Sequence, residues 1–235
     1  MPNMQDLSPL ASATSVVQKL QQAGYAACFA GGSVRDQLLG RPVKDYDIAT
    51  SALPAQVLKI FPKARRVGAA FGVVLVNFRG HAMEVATFRT DGEYADGRRP
   101  KEVQFADARA DAQRRDFTCN GLFLDPLTGQ IMDYVGGRQD IDGKMLRAIG
   151  DPMQRFKEDH LRMLRAVRFA SRLEFTIHPD TWAGRAFAGG KRPAGQSARE
   201  GHSGPAARRS AAGQPGDRPV AGIRGICRIV GCSDP

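Results

Sequence analysis

The sequence predicts an α+β fold in which a small mixed sheet with flanking helices precedes a helical segment. Short apolar runs alternate with stretches of helical periodicity up to about residue 88, and glycines separate them. Between residues 154 and 173 only helical spacing recurs. Strands mixed with helices, followed by helices alone, are typical of this fold class.

The individual elements follow from residue spacing and from the residues that interrupt it. Helices are predicted from Leu10 to Ala23, where Gly24 follows, from Val34 to Leu39, after Pro54, around 108–123, around 154–157 and over 159–173. Strands are predicted at 25–30 and 43–49, and a hairpin at 72–78 and 82–88. The polar, glycine-containing stretch 91–100 is predicted to be a loop.

The composition narrows the class of protein. Hydrophobic content of 42% and charged content of 25% are typical of soluble globular proteins. The chain has neither an apolar run near the ~20 residues that span a bilayer nor an N-terminal signal peptide, so we expect a cytoplasmic protein without a membrane partner. The four cysteines lack paired CxxC spacing, which predicts free thiols rather than a metal cage.

The composition changes abruptly after Trp182. Residues 183–235 contain no leucine, are rich in Gly, Ala, Pro and Arg, and carry nine Lys+Arg against three Asp+Glu, more than half of the net charge of +10. They show no periodicity that would bury a face, so we do not expect them to build a core. They are either a disordered basic tail that attracts RNA or, the interpretation we favour, the product of a shifted reading frame.

Asp45 and Asp47 form the first candidate site. Residues i and i+2 of a strand point to the same face, so the two carboxylates would lie side by side. Their charges repel unless a cation lies between them, and Mg²⁺ prefers carboxylates combined with phosphate oxygens. The alternative is an ordinary solvated strand end.

A glycine turn stands 14 residues upstream, at Gly31-Gly32-Ser33. Glycines let backbone amides approach an anion, a helix N-terminus favours negative charge, and Arg35 would fork onto a phosphate. The alternative is a turn beside a surface arginine. Glu84 would be a third carboxylate if its strand neighbours that of Asp45, whereas an edge strand would leave it facing solvent.

Four motifs, in this order, resemble the class II tRNA nucleotidyltransferases (CCA-adding enzymes) and the bacterial poly(A) polymerases. They are Gly31–Asp36 with Asp45–Asp47, then Arg114–Leu122, then Asp133–Gly137, and finally Glu158–Phe169. The resemblance covers roughly residues 25–182 and implies a polymerase-β-like nucleotidyltransferase head followed by a truncated all-α neck. It divides the chain into an N-terminal helix at 1–24, the head at 25–148, the start of the neck at 149–182 and a non-family tail at 183–235.

The resemblance also implies a role for each matching residue. Asp45 and Asp47 match a catalytic pair that binds Mg²⁺, and Gly136-Gly137 matches a hinge. Asp116 and Asn120 would lie near the ribose. The positions that match nucleotide-binding or nucleotide-selecting residues are Gly32, Arg35, Arg115, Asp159, Arg162, Arg165 and Arg168.

The last of these motifs has independent support from its spacing. Asp159, Arg162 and Arg165 stand at i, i+3 and i+6, so on one helix they would share a broad face. A carboxylate and a guanidinium together offer the acceptors and donors that read a base edge. The alternative is an ordinary amphipathic helix, with the arginines in water and the core contacted by Leu161, Leu164, Val167 and Phe169.

The resemblance implies addition of CMP and AMP, from CTP and ATP, to the 3′ end of tRNA by a two-metal mechanism that releases pyrophosphate. A poly(A) polymerase, or an enzyme that adds only CC or only A, would use the same head. A third possibility is a non-catalytic remnant that binds nucleotide or RNA, because family members continue into helices that hold the RNA and this sequence does not.

Overall fold

A computed structural model describes residues 8–67, 72–92 and 103–184. The predictions for most of the loop at 91–100 and for almost all of the tail lie outside the described residues. The strands are β1 (Ala27–Ala30), β2 (Ile48–Thr50), β3 (Arg65–Arg66), β4 (Val73–Phe78), β5 (His81–Thr87), β6 (Arg89–Asp91), β7 (Val103–Phe105), β8 (Leu122–Leu124), β9 (Ile131–Asp133), β10 (Met145–Leu146) and β11 (Thr176–Ile177). The helices are α1 (Pro9–Gln22), α2 (Gly32–Leu38), α3 (Pro54–Ile60), α4 (Ala108–Arg114), α5 (Gly137–Asp142), α6 (Pro152–Glu158), α7 (Leu161–Leu173) and α8 (Pro179–Ala183).

The predicted mixed sheet is confirmed. Seven strands pair in the order β3-β4-β5-β2-β1-β8-β9. β2 and β5 run parallel, and the other neighbouring strands of this sheet are antiparallel. The predicted hairpin is β4 and β5, joined at Arg79 and Gly80, whose φ angles of +50° and +83° suit the tight turn of a two-residue hairpin loop.

Helix α1 begins at a serine cap and closes one face of the sheet. The Ala11 amide donates to the Ser8 hydroxyl oxygen at 3.2 Å, which satisfies one of the first backbone donors of the helix. Its side chains Val16, Val17 and Leu20 are completely buried in the larger core cluster, together with Phe29 of β1. Cys28 and Ala30 alternate with Phe29 and join a second, smaller cluster, so β1 is covered on both faces.

Two predicted elements are wrong in their extent. The strand predicted at 43–49 starts only at Ile48, because β1, its neighbour on one side, ends at Ala30, and the last bond between them runs from the Ala30 amide to the Asp47 carbonyl oxygen at 3.0 Å. Asp45 and Asp47 therefore precede β2 instead of lying within it. The helical stretch predicted around 108–123 ends at Arg114, since Arg115 and Phe117 are extended and lead through a short 3₁₀ turn into β8.

The cysteines of the described residues are free and buried, as predicted for Cys28 and Cys119. Burial raises the pKa of each thiol to about 12. A thiol of that pKa carries almost no thiolate at pH 8, and thiolate is the reactive form. No described helix is long and apolar enough to cross a bilayer.

We expect the two buried thiols to resist a disulfide reagent at pH 8 while the chain is folded. The test uses a chain in which Cys227 and Cys232 are both replaced by serine, so that only the buried pair is counted. Labelling should be absent in buffer and complete in denaturant. Fast labelling of the folded chain would show that this core is open.

Candidate active site

A cleft of about 650 Å³ opens where β1 turns into α2, beside β2 and β5 and against α4 and α7. Its lining combines the glycine turn with carboxylates and a larger set of guanidinium groups. We call it the arginine cleft, and its charged lining residues are Arg35, Asp47, Glu84, Arg89, Asp91, Arg114, Arg115, Asp116, Asp159, Arg162 and Arg165.

The glycine turn forms one wall of the cleft. Gly31 has φ +67° and ψ −125° and precedes the first residue of α2, a conformation that favours glycine. A Cβ at Gly31 would meet Nη1 of Arg115 at 2.9 Å, so the missing side chain also makes room for this guanidinium. Gly31 and Gly32 both line the cleft. The glycine turn therefore brings its own backbone and the Arg115 guanidinium together on this wall of the cleft.

The acidic wall contains Asp47 and Glu84. Tyr46 is buried against Phe29, with ring centroids 5.0 Å apart, while Asp45 and Asp47 on either side of it are exposed. The alternation that predicted a shared face is thus present, although the backbone there is not a strand. Since Ile48 pairs with Val85 in parallel, Glu84 stands next to Asp47 on an interior strand of the sheet, so the edge position is wrong, although the Glu84 side chain does face solvent.

The pKa of Asp47 reports this crowding. Partial burial, the Glu84 carboxylate and, more weakly, the Asp45 carboxylate raise it above the ordinary value, and the Arg115 guanidinium opposes them. Among the described residues, no group of three or more His, Cys, Asp or Glu side chains has the arrangement of a preformed metal cage. The donors are nevertheless all carboxylate oxygens with unbalanced negative charge, which suits a hard divalent cation.

A chain of hydrogen bonds joins the floor of the cleft to α7. The Arg35 guanidinium donates to the Asn120 side-chain oxygen at 2.6 Å and to Asp36 at 2.8 Å. The Asn120 amide nitrogen donates to Asp116 at 3.1 Å, and Asp116 accepts from Nε of Arg165 on α7 at 2.7 Å. Arg35 is only 4% exposed, because its guanidinium is already bound to Asn120 and Asp36. Its contact with a phosphate therefore stays a prediction.

Helix α7 departs from the amphipathic alternative at Arg162, whereas Arg165 and Arg168 are exposed as that alternative expects. Arg162 is buried, with bonds to the Glu158 carboxylate at 3.0 Å and the Arg155 carbonyl at 3.2 Å. Leu161 and Leu164 are instead 40% and 63% exposed. A helix that buries an arginine and exposes leucines is not arranged for core packing alone.

The structure brings most of the predicted residues together, but not all of them. Asp159 lies in an extended segment between α6 and α7, so it contributes to the cleft without sharing the helix. Arg168 is exposed and lies outside the cleft lining, as does Asp45. A further residue of the site, not predicted from the sequence, is Asp111, a carboxylate that is 1% exposed and binds two arginines of the cleft. Its signal was the spacing of i+3 and i+4 to Arg114 and Arg115.

The comparison with known proteins identifies the family. Residues 27–147, just over half of the chain, match the family described as the poly A polymerase head domain. The chain belongs to this family. The resemblance stated from the four motifs is confirmed, and so is the nucleotidyltransferase head fold.

Curated relatives and solved structures agree with this assignment. The CCA-adding enzyme of Geobacillus stearothermophilus is 51% identical over 174 residues, which are 74% of this chain and 43% of that protein. That of Bacillus subtilis is 46% identical over 170 residues, 72% of this chain and 43% of the relative. The chain therefore spans less than half the length of these relatives.

Two solved structures add bound ligands to the comparison. The Bacillus stearothermophilus CCA-adding enzyme in complex with CTP aligns with a TM-score of 0.69 and 47% identity, over 75% of this chain and 42% of that one. A tRNA nucleotidyltransferase complexed with a primer tRNA and an incoming ATP analogue aligns with a TM-score of 0.59 and 31% identity, over 72% of this chain and 48% of that one.

Proposed function

We propose that this chain adds CMP and AMP, from CTP and ATP, to the 3′ end of tRNA and releases pyrophosphate. The observation that carries the proposal is the arginine cleft, where the carboxylates of Asp47 and Glu84 face the glycine turn and the guanidinium groups. Such a cleft offers cationic and amide donors to a triphosphate beside an oxygen site for metal ions.

The acidic wall would hold Mg²⁺. Asp47, Asp45 and the adjacent Glu84 would supply carboxylate oxygens, and a cation would offset the burial and the carboxylate repulsion that raise the pKa of Asp47. When bound, the metal supplies Lewis acidity for attack of the RNA 3′-hydroxyl on the α-phosphate. The protein itself contributes orientation and electrostatic stabilisation, so no covalent nucleophile is needed.

The opposite walls would hold the nucleotide. Gly32, Arg35 and Arg115 provide the backbone and guanidinium side of a triphosphate site, with Arg115 nearest to the metal carboxylates. Asp159, Arg162 and Arg165 line the part of the cleft formed by α7 and the segment before it, where a base edge would be read. Arg168 would have to act from outside the lining.

Transfer RNA is the proposed acceptor because curated relatives about 50% identical are CCA-adding enzymes. The decisive assay uses tRNA lacking its terminal CCA, with labelled CTP, labelled ATP or both. We expect CMP incorporation with CTP alone and AMP incorporation only after CMP has been added. Asp45→Ala is the control, and it should stay folded without incorporating either nucleotide.

Each other result identifies a different function. Long AMP tracts on unrelated RNA, formed without CTP, would establish poly(A) polymerase activity. Nucleotide binding without incorporation would establish a binding remnant. Incorporation that persists in Asp45→Ala with Mg²⁺ would overturn the metal assignment.

A further inference from the structure

The Asp111 carboxylate divides its two oxygens between two neighbouring arginines. Oδ1 accepts a hydrogen bond from Nε of Arg114 at 2.9 Å and forms an ion pair with Nη2 of the same residue at 2.8 Å. Oδ2 accepts from Nε and Nη2 of Arg115 at 3.1 and 2.8 Å. Each guanidinium thus contacts one of the two oxygens, Arg115 through two hydrogen bonds and Arg114 through one hydrogen bond and a close ion pair. The carboxylate is 1% exposed, so these bonds are protected from competing water.

The bonds to Asp111 hold one side of the Arg115 guanidinium, and a backbone carbonyl and an aromatic ring hold its other sides. Its Nη1 donates to the Asn120 carbonyl at 3.2 Å, and the guanidinium carbon lies 5.0 Å from the centre of the Phe123 ring. Three of the five N–H donors of this side chain are therefore engaged, and two remain for a ligand. The same guanidinium lies against Gly31, where a Cβ would meet its Nη1 at 2.9 Å, and it lowers the pKa of Asp47.

The geometry points to Asp111 as a positioning residue that sets the Arg115 guanidinium between the glycine turn and Asp47, and thereby sets the affinity of the cleft for a nucleoside triphosphate. This inference rests on the proposed nucleotide-binding function. Asp111 itself is not in the lining of the cleft, so it acts through Arg115 and not by contact with the ligand.

The charge of Asp111 is maintained under all ordinary conditions. Burial alone would raise its pKa, but the guanidinium groups of Arg115 and Arg114 outweigh burial and hold the pKa below the ordinary value. The backbone also contributes, since the Arg89 amide donates to Oδ1 at 3.3 Å. The positioning is therefore permanent and not a switch that responds to pH.

The test measures CTP binding by isothermal titration calorimetry, with the full chain in Mg²⁺, for the wild type, Asp111→Asn, Arg115→Ala and the double variant. Asn keeps the shape but only one acceptor oxygen, so it cannot hold both arginines. We expect Asp111→Asn to raise the Kd roughly tenfold, because hydrogen bonds to charged groups contribute about that much. The double variant should bind no more weakly than Arg115→Ala alone.

Asp107→Ala is the matched control for helix stability. Asp107 caps the same helix, α4, by accepting from the Ala110 amide at 2.8 Å, and it touches neither arginine. Its loss should lower the melting temperature while leaving the Kd for CTP unchanged. If Asp107→Ala weakens binding as much as Asp111→Asn does, or if the Asp111 and Arg115 effects add, Asp111 is merely structural.

If Asp111→Asn does not fold, Asp111→Glu is measured in its place, because it keeps the negative charge. It displaces the carboxylate by one methylene, and we expect a Kd several times higher than that of the wild type. If Asp111→Glu and a folded Asp111→Asn both bind CTP with wild-type affinity, the inference about Asp111 is wrong, while the proposed function still stands. A wild-type chain that binds no nucleotide overturns the proposed function, and the inference with it.

Discussion

Replacing Asp47 by asparagine is expected to stabilise the metal-free chain at pH 7 while abolishing nucleotide incorporation. The Asp47 residue is largely open to solvent, but burial of its carboxylate group within the cleft and, after it, the Glu84 and Asp45 carboxylates raise the pKa. Asparagine has nearly the same shape but no charge, so it removes the repulsion. It also removes a metal ligand, and the loss of Lewis-acid stabilisation would lower incorporation by about a thousandfold or more.

The direction of the stability change follows from proton linkage. A carboxyl with a higher pKa in the folded than in the unfolded chain binds more protons when folded, so its favourable contribution is lost as the pH rises. At pH 7 the ionised Asp47 therefore destabilises the fold. We expect the melting temperature of Asp47→Asn to exceed that of the wild type at pH 7 by a small margin, because solvent reaches the residue and screens its charge. The difference should vanish below the ordinary aspartate pKa of 3.8.

Addition of Mg²⁺ shows whether the change in melting temperature belongs to the metal site or would follow the removal of any carboxylate. The ion should raise the melting temperature of the wild type, because it binds the folded chain, and should leave Asp47→Asn unchanged. Asp142→Asn, which removes an exposed carboxylate at the end of α5, is the control and should keep the Mg²⁺ response. A lower melting temperature for Asp47→Asn at pH 7, or a retained response, would contradict the assignment of the acidic wall.

The parts of the site that the sequence predicts well are those fixed by local chemistry. The glycine turn needs a positive φ at Gly31, and the structure has φ +67° there. Asp45 and Asp47 flank the buried Tyr46, and period-two alternation makes that pattern visible in the sequence. These features depend on a few neighbouring residues, so a sequence carries them without knowledge of the remaining fold.

Most of what was missed depends on partners far away in the chain, and Asp111, whose arginine partners are three and four residues away, is the exception. Arg155 donates to the carbonyl oxygens of Arg114 and Arg115 at the end of α4, the latter at 2.7 Å, although about 40 residues separate them. That contact helps to end α4 where helical periodicity had suggested continuation. The register of β2 against β5, which brings Glu84 beside Asp47, is likewise a long-range pairing that no local pattern specifies.

Gly137→Ala is expected to destabilise the fold by about 3 kcal/mol. A Cβ at this first residue of α5 would lie 2.1 Å from the Thr118 carbonyl oxygen and 2.9 Å from the Thr118 carbonyl carbon. Both are backbone atoms of the turn that carries Asn120 into the cleft, so the clash cannot be relieved by a side-chain rotation. The melting temperature should fall by roughly 6–12 °C.

Gly136→Ala, at the adjacent position, distinguishes packing from backbone flexibility. Gly136 has φ +76° but nothing within 4 Å of a Cβ, so alanine there should cost only about 1 kcal/mol of left-handed strain. Urea unfolding of both variants measures the two costs. If Gly136 and Gly137 serve as the hinge that the resemblance implies, both substitutions should impair nucleotide incorporation equally, even though the two variants differ in their free energy of unfolding. Normal incorporation by Gly136→Ala, with loss of stability and incorporation confined to Gly137→Ala, would contradict the hinge and assign Gly137 to the close packing of α5 against Thr118.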